Sequence, residues 1–119
     1  MSLTKRNLLF LLVASFLLFA MNDLAVRANL YWTTVWADMV SHTLGGVVLG
    51  SFCMVFRQMK PTIGLKHIIV FALFVGILWE VFEIYTGMTA FTDVGYWLDT
   101  SSDIFFDILG STLAYLALK

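Results

Sequence analysis

The chain has 119 residues, of which 61% are hydrophobic, 16% aromatic and only 13% charged. Ordinary water-soluble domains are about 45–50% apolar, so this composition excludes a typical soluble fold and predicts a membrane protein. The formal net charge is −1, and no nucleic-acid-binding motif is present. The single cysteine, Cys53, excludes an intrachain disulfide, and its place in a hydrophobic run favours an inert buried thiol.

The N-terminus begins with basic residues followed by an apolar run, as a signal peptide does. The stretch Ala20 to Val26 is a poor cleavage region, and the rest of the chain is equally apolar. We therefore expect this segment to be kept as the first helix of the protein.

Four stretches are long and apolar enough to cross a bilayer, which takes about 20 residues. They cover about residues 7–26, 36–56, 67–86 and 101–118. Between them lie an aromatic connection, a short basic loop and a polar-aromatic connection, and Thr100 or Ser101 is the expected N-cap of the last span. The sequence thus predicts an all-α fold, a bundle of four transmembrane helices in a single domain of residues 1–119.

The basic residues are distributed unequally between the two sides of this bundle. With four spans both termini lie on one side, and Arg27 is the only basic residue on the other. The common side carries Lys5, Arg6, Arg57, Lys60, Lys66 and Lys119. The positive-inside rule assigns that side to the cytoplasm, so we expect a multi-pass protein of the cell membrane with both termini cytoplasmic.

The acidic residues all lie in the outer connections or the outer halves of the spans. A rise of ~1.5 Å per residue places Asp23, His42, Glu80 and Asp103 at nearly one height, ~20–22 Å above the inner end of each span. This layer is in the outer third of a hydrocarbon core about 30 Å thick. An acid inside a span costs about 2.5–3.5 kcal/mol on insertion scales, so such residues indicate a functional site.

Helical spacing also puts these groups on shared faces. The three polar stripes are Asp38, His42, Gly46 and Gly50; Gly76, Glu80, Glu83 and Gly87; and Asp99, Asp103, Asp107 and Ser111. Because glycines four residues apart let helix backbones approach closely, we expect the stripes to meet inside the bundle. His42 and Glu80, whose estimated heights agree within ~1 Å, are its expected centre.

The ordered motifs Asp38-x3-His42, Glu80-x2-Glu83 and Asp103-x3-Asp107-x2-Gly110 resemble those of the VanZ-like family and of related small multi-pass membrane proteins. Trp79, Glu83 and Asp107 stand where VanZ-like proteins usually carry Asp, Gln and Asn, which makes this site more acidic. The resemblance covers the second to fourth spans. It implies a protein of the cell envelope, in a family associated with tolerance of glycopeptide antibiotics, and it implies no settled reaction.

Carboxylates this close together in a low dielectric cannot all stay ionised, so the layer must hold protons or a cation. Imidazole combined with carboxylates suits Zn, Mn or Fe, whereas carboxylates with water suit Mg. The expected metal ligands are Asp38, His42, Glu80, Glu83, Asp103 and Asp107. A divalent metal would polarise a phosphoryl oxygen and activate water, which would support hydrolysis or transfer on a lipid-linked phosphate reached from the outer leaflet. Glu83 and Asp107 are the catalytic candidates.

Two non-enzymatic alternatives stay open. In the first, structural alternative, the acids are protonated and stabilise the packing of the helices through hydrogen bonds to one another and to Ser41, Ser101 and Ser102. Otherwise they would relay protons or conduct cations, although below Asp107 the stripes contain mainly small and apolar residues. The expected partners are the lipid bilayer and a lipid or lipid-linked phosphate, and so small a bundle is compatible with a homo-oligomer.

Overall fold

The computed structural model describes residues 1–119 and contains helices but no strands. The helices, in chain order, are α1 Leu3–Arg27, α2 Leu30–Thr33, α3 Trp36–Phe56, α4 Leu65–Thr86 and α5 Tyr96–Leu118. All but the short α2 are long and apolar enough to cross a membrane. The expected all-α fold with four membrane spans is confirmed.

Two of the spans begin well before the sequence-based boundaries. The side chain of Ser2 accepts a hydrogen bond from the backbone N–H of Lys5, so a capped, basic first turn precedes the apolar part of α1. The start of α5 is a correction: its N-cap is Gly95, in a left-handed conformation with φ of 75°. Thr100 and Ser101 therefore lie inside the helix. Hydropathy does not indicate this boundary, because the turn before α5 depends on the backbone conformation of Gly95.

The connection after α1 contains α2, a single helical turn that was not expected. It follows Asn29, whose φ of 56° lies in the left-handed region that asparagine tolerates better than most residues. The hydroxyls of Thr33 and Thr34 donate to the carbonyls of Asn29 and Leu30. These local hydrogen bonds stabilise the turn, and the Tyr31 hydroxyl within it contacts Asn22 on α1 and Ser41 on α3.

The centre of the bundle is the contact between α3 and α5, whose backbones touch at glycines. A Cβ atom on Gly46 would collide with the backbone carbonyl of Asp107, and one on Gly110 would collide with the carbonyl of Thr43. The close approach expected of Gly46 and Gly50 is therefore present, and Gly110 supplies the reciprocal contact from α5. Outside this pair, α1 packs mainly on α3, and α4 mainly on α5.

One end of the bundle, the basic end, gathers the N-termini of α1 and α4 and the C-termini of α3 and α5. Its apolar contacts are made by buried Met54, Ile68 and Leu118. Arg6 Nη2 donates to the Leu118 carbonyl at 2.6 Å, and Nδ2 of fully buried Asn7 donates to the Met54 carbonyl at 3.2 Å. These bonds attach α1 to α5 and α3, so α1 contributes more than the length and hydrophobicity seen in its sequence.

The outer faces of the bundle carry large exposed apolar side chains. Phe16 is 68% exposed, Val70 64% and Phe105 60%. Contiguous apolar surface of this kind is unfavourable in water and favourable against lipid. The chain is accordingly a multi-pass membrane protein whose apolar faces contact the bilayer.

Candidate functional site

His42 lies at the interface of α3 and α5 with only 10% of its side chain exposed, and its ring contacts three carboxylates. Nδ1 is 2.9 Å from Asp107 Oδ1. Nε2 is 3.6 Å from Asp38 Oδ1 and 3.5 Å from Asp103 Oδ2. Because an ionised carboxylate only accepts hydrogen bonds, the Asp107 contact puts a proton on Nδ1 and, in the neutral ring, leaves the Nε2 lone pair facing Asp38 and Asp103.

Helix α4 contributes to this arrangement through the absence of a side chain. A Cβ atom on Gly76 would lie 2.8 Å from Asp107 Oδ2, closer than a real Cβ contact allows. Glycine at this position leaves room for the Asp107 carboxylate, which is thus held between His42 on one side and the α4 backbone on the other. Three helices set the orientation of the imidazole.

A second group of acids lies between α4 and α5. Glu80 is only 6% exposed, and its Oε2 accepts a hydrogen bond from the Thr100 hydroxyl at 3.0 Å. Its other oxygen, Oε1, is buried and has no hydrogen-bond partner. Glu80, Glu83 and Asp103 can each place one carboxylate oxygen within 4.8 Å of the others.

The two groups share one residue. Asp38, His42 and Asp103 form the first group, in which one side-chain nitrogen or oxygen atom of each residue lies within 4.8 Å of the others, and Asp103 also belongs to the second. Asp103 is 4% exposed. All six expected ligands therefore lie in one cluster, but His42 and Glu80, the expected centre, fall in different groups that meet at Asp103.

The cluster contains five carboxylates and one imidazole, with no lysine or arginine side chain among its contacts. Asp23, expected in the same layer, is outside it: its carboxylate is 2.9 Å from Arg27 Nε, and the two side chains are 45% and 77% exposed respectively. Height along the span does not fix the lateral position of a side chain, and Asp23 pairs with Arg27 on its own helix. Arg27 is thereby paired outside the cluster.

Hydroxyl groups contact the acids less than expected. Ser41 Oγ is 2.7 Å from the Tyr31 hydroxyl, and Ser101 Oγ donates to the Trp97 carbonyl at 2.6 Å. Thr100, which the sequence indicated only as a candidate N-cap, makes the only hydroxyl bond to the cluster. Its spacing from Asp103 and Asp107, three and seven residues, was a usable signal, because such residues share a helix face.

The cluster is closed towards the basic end and more open at the opposite end. The Asp38 side chain is 38% exposed and Glu83 is partly exposed, whereas Asp103 and Asp107 are buried. Below the cluster, a Cβ atom on Gly50 would meet the backbone of Ser111 on α5. A ligand would thus reach the cluster from the end that carries Asp38 and Glu83.

A family described as "Predicted membrane protein (DUF2238)" matches residues 2–119. No curated protein and no solved structure matches the chain. The family description agrees with the four apolar helices. The chain therefore belongs to the DUF2238 family of predicted membrane proteins.

Proposed function

We propose that this protein is a VanZ-like component of the cell envelope that binds a divalent cation through His42, Asp38 and Asp103. In this proposal the basic end is cytoplasmic, so the cluster lies towards the outer side of the cell membrane. The bound cation acts on a lipid-linked phosphate that enters from the outer leaflet.

The orientation of His42 is the observation that carries the proposal. Histidines that ligate metals usually donate their second N–H to a carboxylate, which fixes the tautomer and raises the basicity of the ligating nitrogen. Asp107, at 2.9 Å from Nδ1, is in position for that role. Asp107 is then a positioning residue that acts through His42, and not the direct ligand suggested by its place in the stripe.

The spacing around Nε2 supports a cation between the ligands. Metal–nitrogen and metal–oxygen bonds of about 2.0–2.2 Å put adjacent ligand atoms of a tetrahedral site about 3.3–3.6 Å apart. The Nε2 distances to Asp103 Oδ2 and Asp38 Oδ1 are 3.5 Å and 3.6 Å, longer than a good hydrogen bond. One imidazole with several carboxylates suits Zn, Mn or Fe better than Mg.

A phosphate ester is the ligand class that this chemistry favours. A divalent cation in such a site polarises a phosphoryl oxygen and lowers the pKa of bound water. Glu83, partly exposed at the open side of the cluster, is positioned to exchange protons with water. Asp107 is occupied with His42, which leaves Glu83 as the better general-base candidate of the two.

The structural alternative is supported by two contacts between helices, the His42 bond to Asp107 and the Thr100 bond to Glu80. It leaves Oε1 of Glu80 without a partner. Conduction is disfavoured by the glycine-mediated contact of α3 and α5 below the cluster, where backbone atoms fill the space that a pathway would need. Cation binding accounts for more of the geometry than either alternative.

Metal content and chelator sensitivity test the proposal. The detergent-purified chain should contain bound Zn, Mn or Fe by elemental analysis, and its melting temperature should fall when a chelator is added. His42→Ala should lose the metal bound at Nε2 and with it that part of the chelator effect, while Asp23→Asn, a carboxylate-to-amide change outside the cluster, should retain both. A wild-type chain without metal, whose melting responds neither to chelator nor to added Zn²⁺ or Mn²⁺, would remove the proposal.

The phosphate step has a separate test. Release of inorganic phosphate from a polyprenyl diphosphate in mixed micelles should require both the metal and Glu83. Glu83→Gln should lose release while still binding metal through the His42 group. Equal release by wild type and a His42→Ala/Glu83→Gln double variant would exclude this reaction and leave the metal-binding result unaffected.

A further inference from the structure

The acid cluster offers two ligand groups that share a single buried carboxylate. The His42 group contains Asp38 and Asp103, and the other combines Glu80 and Glu83 with the same Asp103. A carboxylate has two oxygens and accepts up to four contacts, so one Asp can contribute an oxygen to each of two cations. The shared residue is 4% exposed and lies on α5, which packs against both α3 and α4.

Glu80 provides an independent sign that the second group is incomplete as it stands. The residue is 94% buried, since only 6% of its surface is exposed, and Thr100 satisfies only Oε2. Oε1 is buried without a hydrogen-bond partner. Leaving a buried polar atom unpaired costs about 1–3 kcal/mol, more for a charged group, so native structures rarely retain one without a ligand or water.

The charge of the cluster also favours a second cation. At full ionisation the cluster carries five negative charges, and no lysine or arginine contacts it. One divalent cation at His42 would leave three of these charges uncompensated in a low dielectric, and two cations would leave only one. Like charges at such separations strongly disfavour further ionisation, so a second cation relieves a repulsion that the first leaves in place.

We infer that the cluster is a dinuclear centre, with a second divalent cation held by Glu80, Glu83 and Asp103 and with Asp103 bridging the two ions. Bundles build dinuclear carboxylate centres in this way, from side chains three or four residues apart on facing helices. Two ions about 3.5–4 Å apart clamp the attacking and leaving oxygens of a phosphate ester. This inference rests on the proposed function, since it adds an ion to the same site, and in the dinuclear centre Glu83 acts as a ligand of the second ion instead of a general base.

The number of divalent ions bound per chain distinguishes the dinuclear centre from the single-ion site of the proposed function. In equilibrium dialysis of the full chain in detergent against saturating Mn²⁺, wild type should bind two ions and Glu80→Gln one. Glutamine can still accept the Thr100 hydrogen bond, so this variant keeps its local packing, which circular dichroism and gel filtration would verify. Glu83→Gln should also bind one ion, and Asp23→Asn should bind two.

Electron paramagnetic resonance of the Mn²⁺-loaded chain gives a second readout. Bridged ions should show an exchange-coupled spectrum in wild type, and Glu80→Gln should show the spectrum of an isolated ion. One ion per wild-type chain, or two ions without exchange coupling, would overturn the dinuclear centre and leave the proposed function intact. No bound ion in wild type would overturn both.

Discussion

Asp107 on α5 and His42 on α3 are joined by a 2.9 Å contact between Oδ1 and Nδ1, across the interface where the helix backbones are closest. The close approach and the polar contact depend on one another. Gly46 lets α3 reach the Asp107 backbone, and the same turn of α5 then brings the carboxylate to the ring. Packing of small residues thus sets the direction of the imidazole.

The first prediction concerns the positioning role of Asp107. Asp107→Asn keeps an oxygen that can accept from Nδ1 but removes the charge that strengthens Nε2 as a ligand. Replacing such outer partners typically lowers metal affinity about 10–100-fold. Titration calorimetry with Zn²⁺ should show that loss with an unchanged number of sites. An unaltered affinity, with the protein folded, would mean that Asp107 does not act through His42.

The second prediction uses two neighbouring glycines as a matched pair. Gly46→Ala puts a Cβ against the Asp107 carbonyl, whereas Gly45→Ala has nothing within 4 Å of its new atom. Overpacking against backbone costs about 1–3 kcal/mol. A Gly→Ala change inside a helix, where the new methyl group has open space, gains up to about 1 kcal/mol. Thermal melting in detergent should therefore fall for Gly46→Ala and stay level or rise for Gly45→Ala; equal melting temperatures would contradict the tight α3–α5 contact.

Hydropathy and helical spacing were sufficient to predict the four spans and the polar stripes, because both depend on local sequence. The lateral order of the helices was not predictable in this way. Depth along a span says nothing about rotation or neighbours, which is why Asp23 was expected among the acids and lies apart from them. The Gly95 turn and the Thr100 contact with Glu80 also depend on three-dimensional packing.

The third prediction tests whether α4 affects the site only because Gly76 leaves room for the Asp107 side chain. The Gly76→Ala methyl would lie 2.8 Å from Asp107 Oδ2, the end of a side chain that can rotate away. We expect an affinity loss for Zn²⁺ comparable to that of Asp107→Asn, with a smaller stability loss than Gly46→Ala. The double variant Gly76→Ala/Asp107→Asn should bind Zn²⁺ no more weakly than the weaker-binding single variant, since both substitutions act on the contact between Asp107 and His42. Fully additive losses would show that Gly76 affects binding by another route.

The last prediction is the orientation of the bundle. Six of the seven basic residues lie at the basic end, which the positive-inside rule assigns to the cytoplasm. In a Cys53→Ala background, Gly64→Cys adds a thiol where a Cβ meets nothing within 4 Å, and Thr92→Cys adds one in the exposed opposite loop. A membrane-impermeant maleimide should label Thr92→Cys on intact cells and Gly64→Cys only in inverted membrane vesicles. The reverse pattern would turn the cluster towards the cytoplasm and exclude an outer-leaflet phosphate as its ligand.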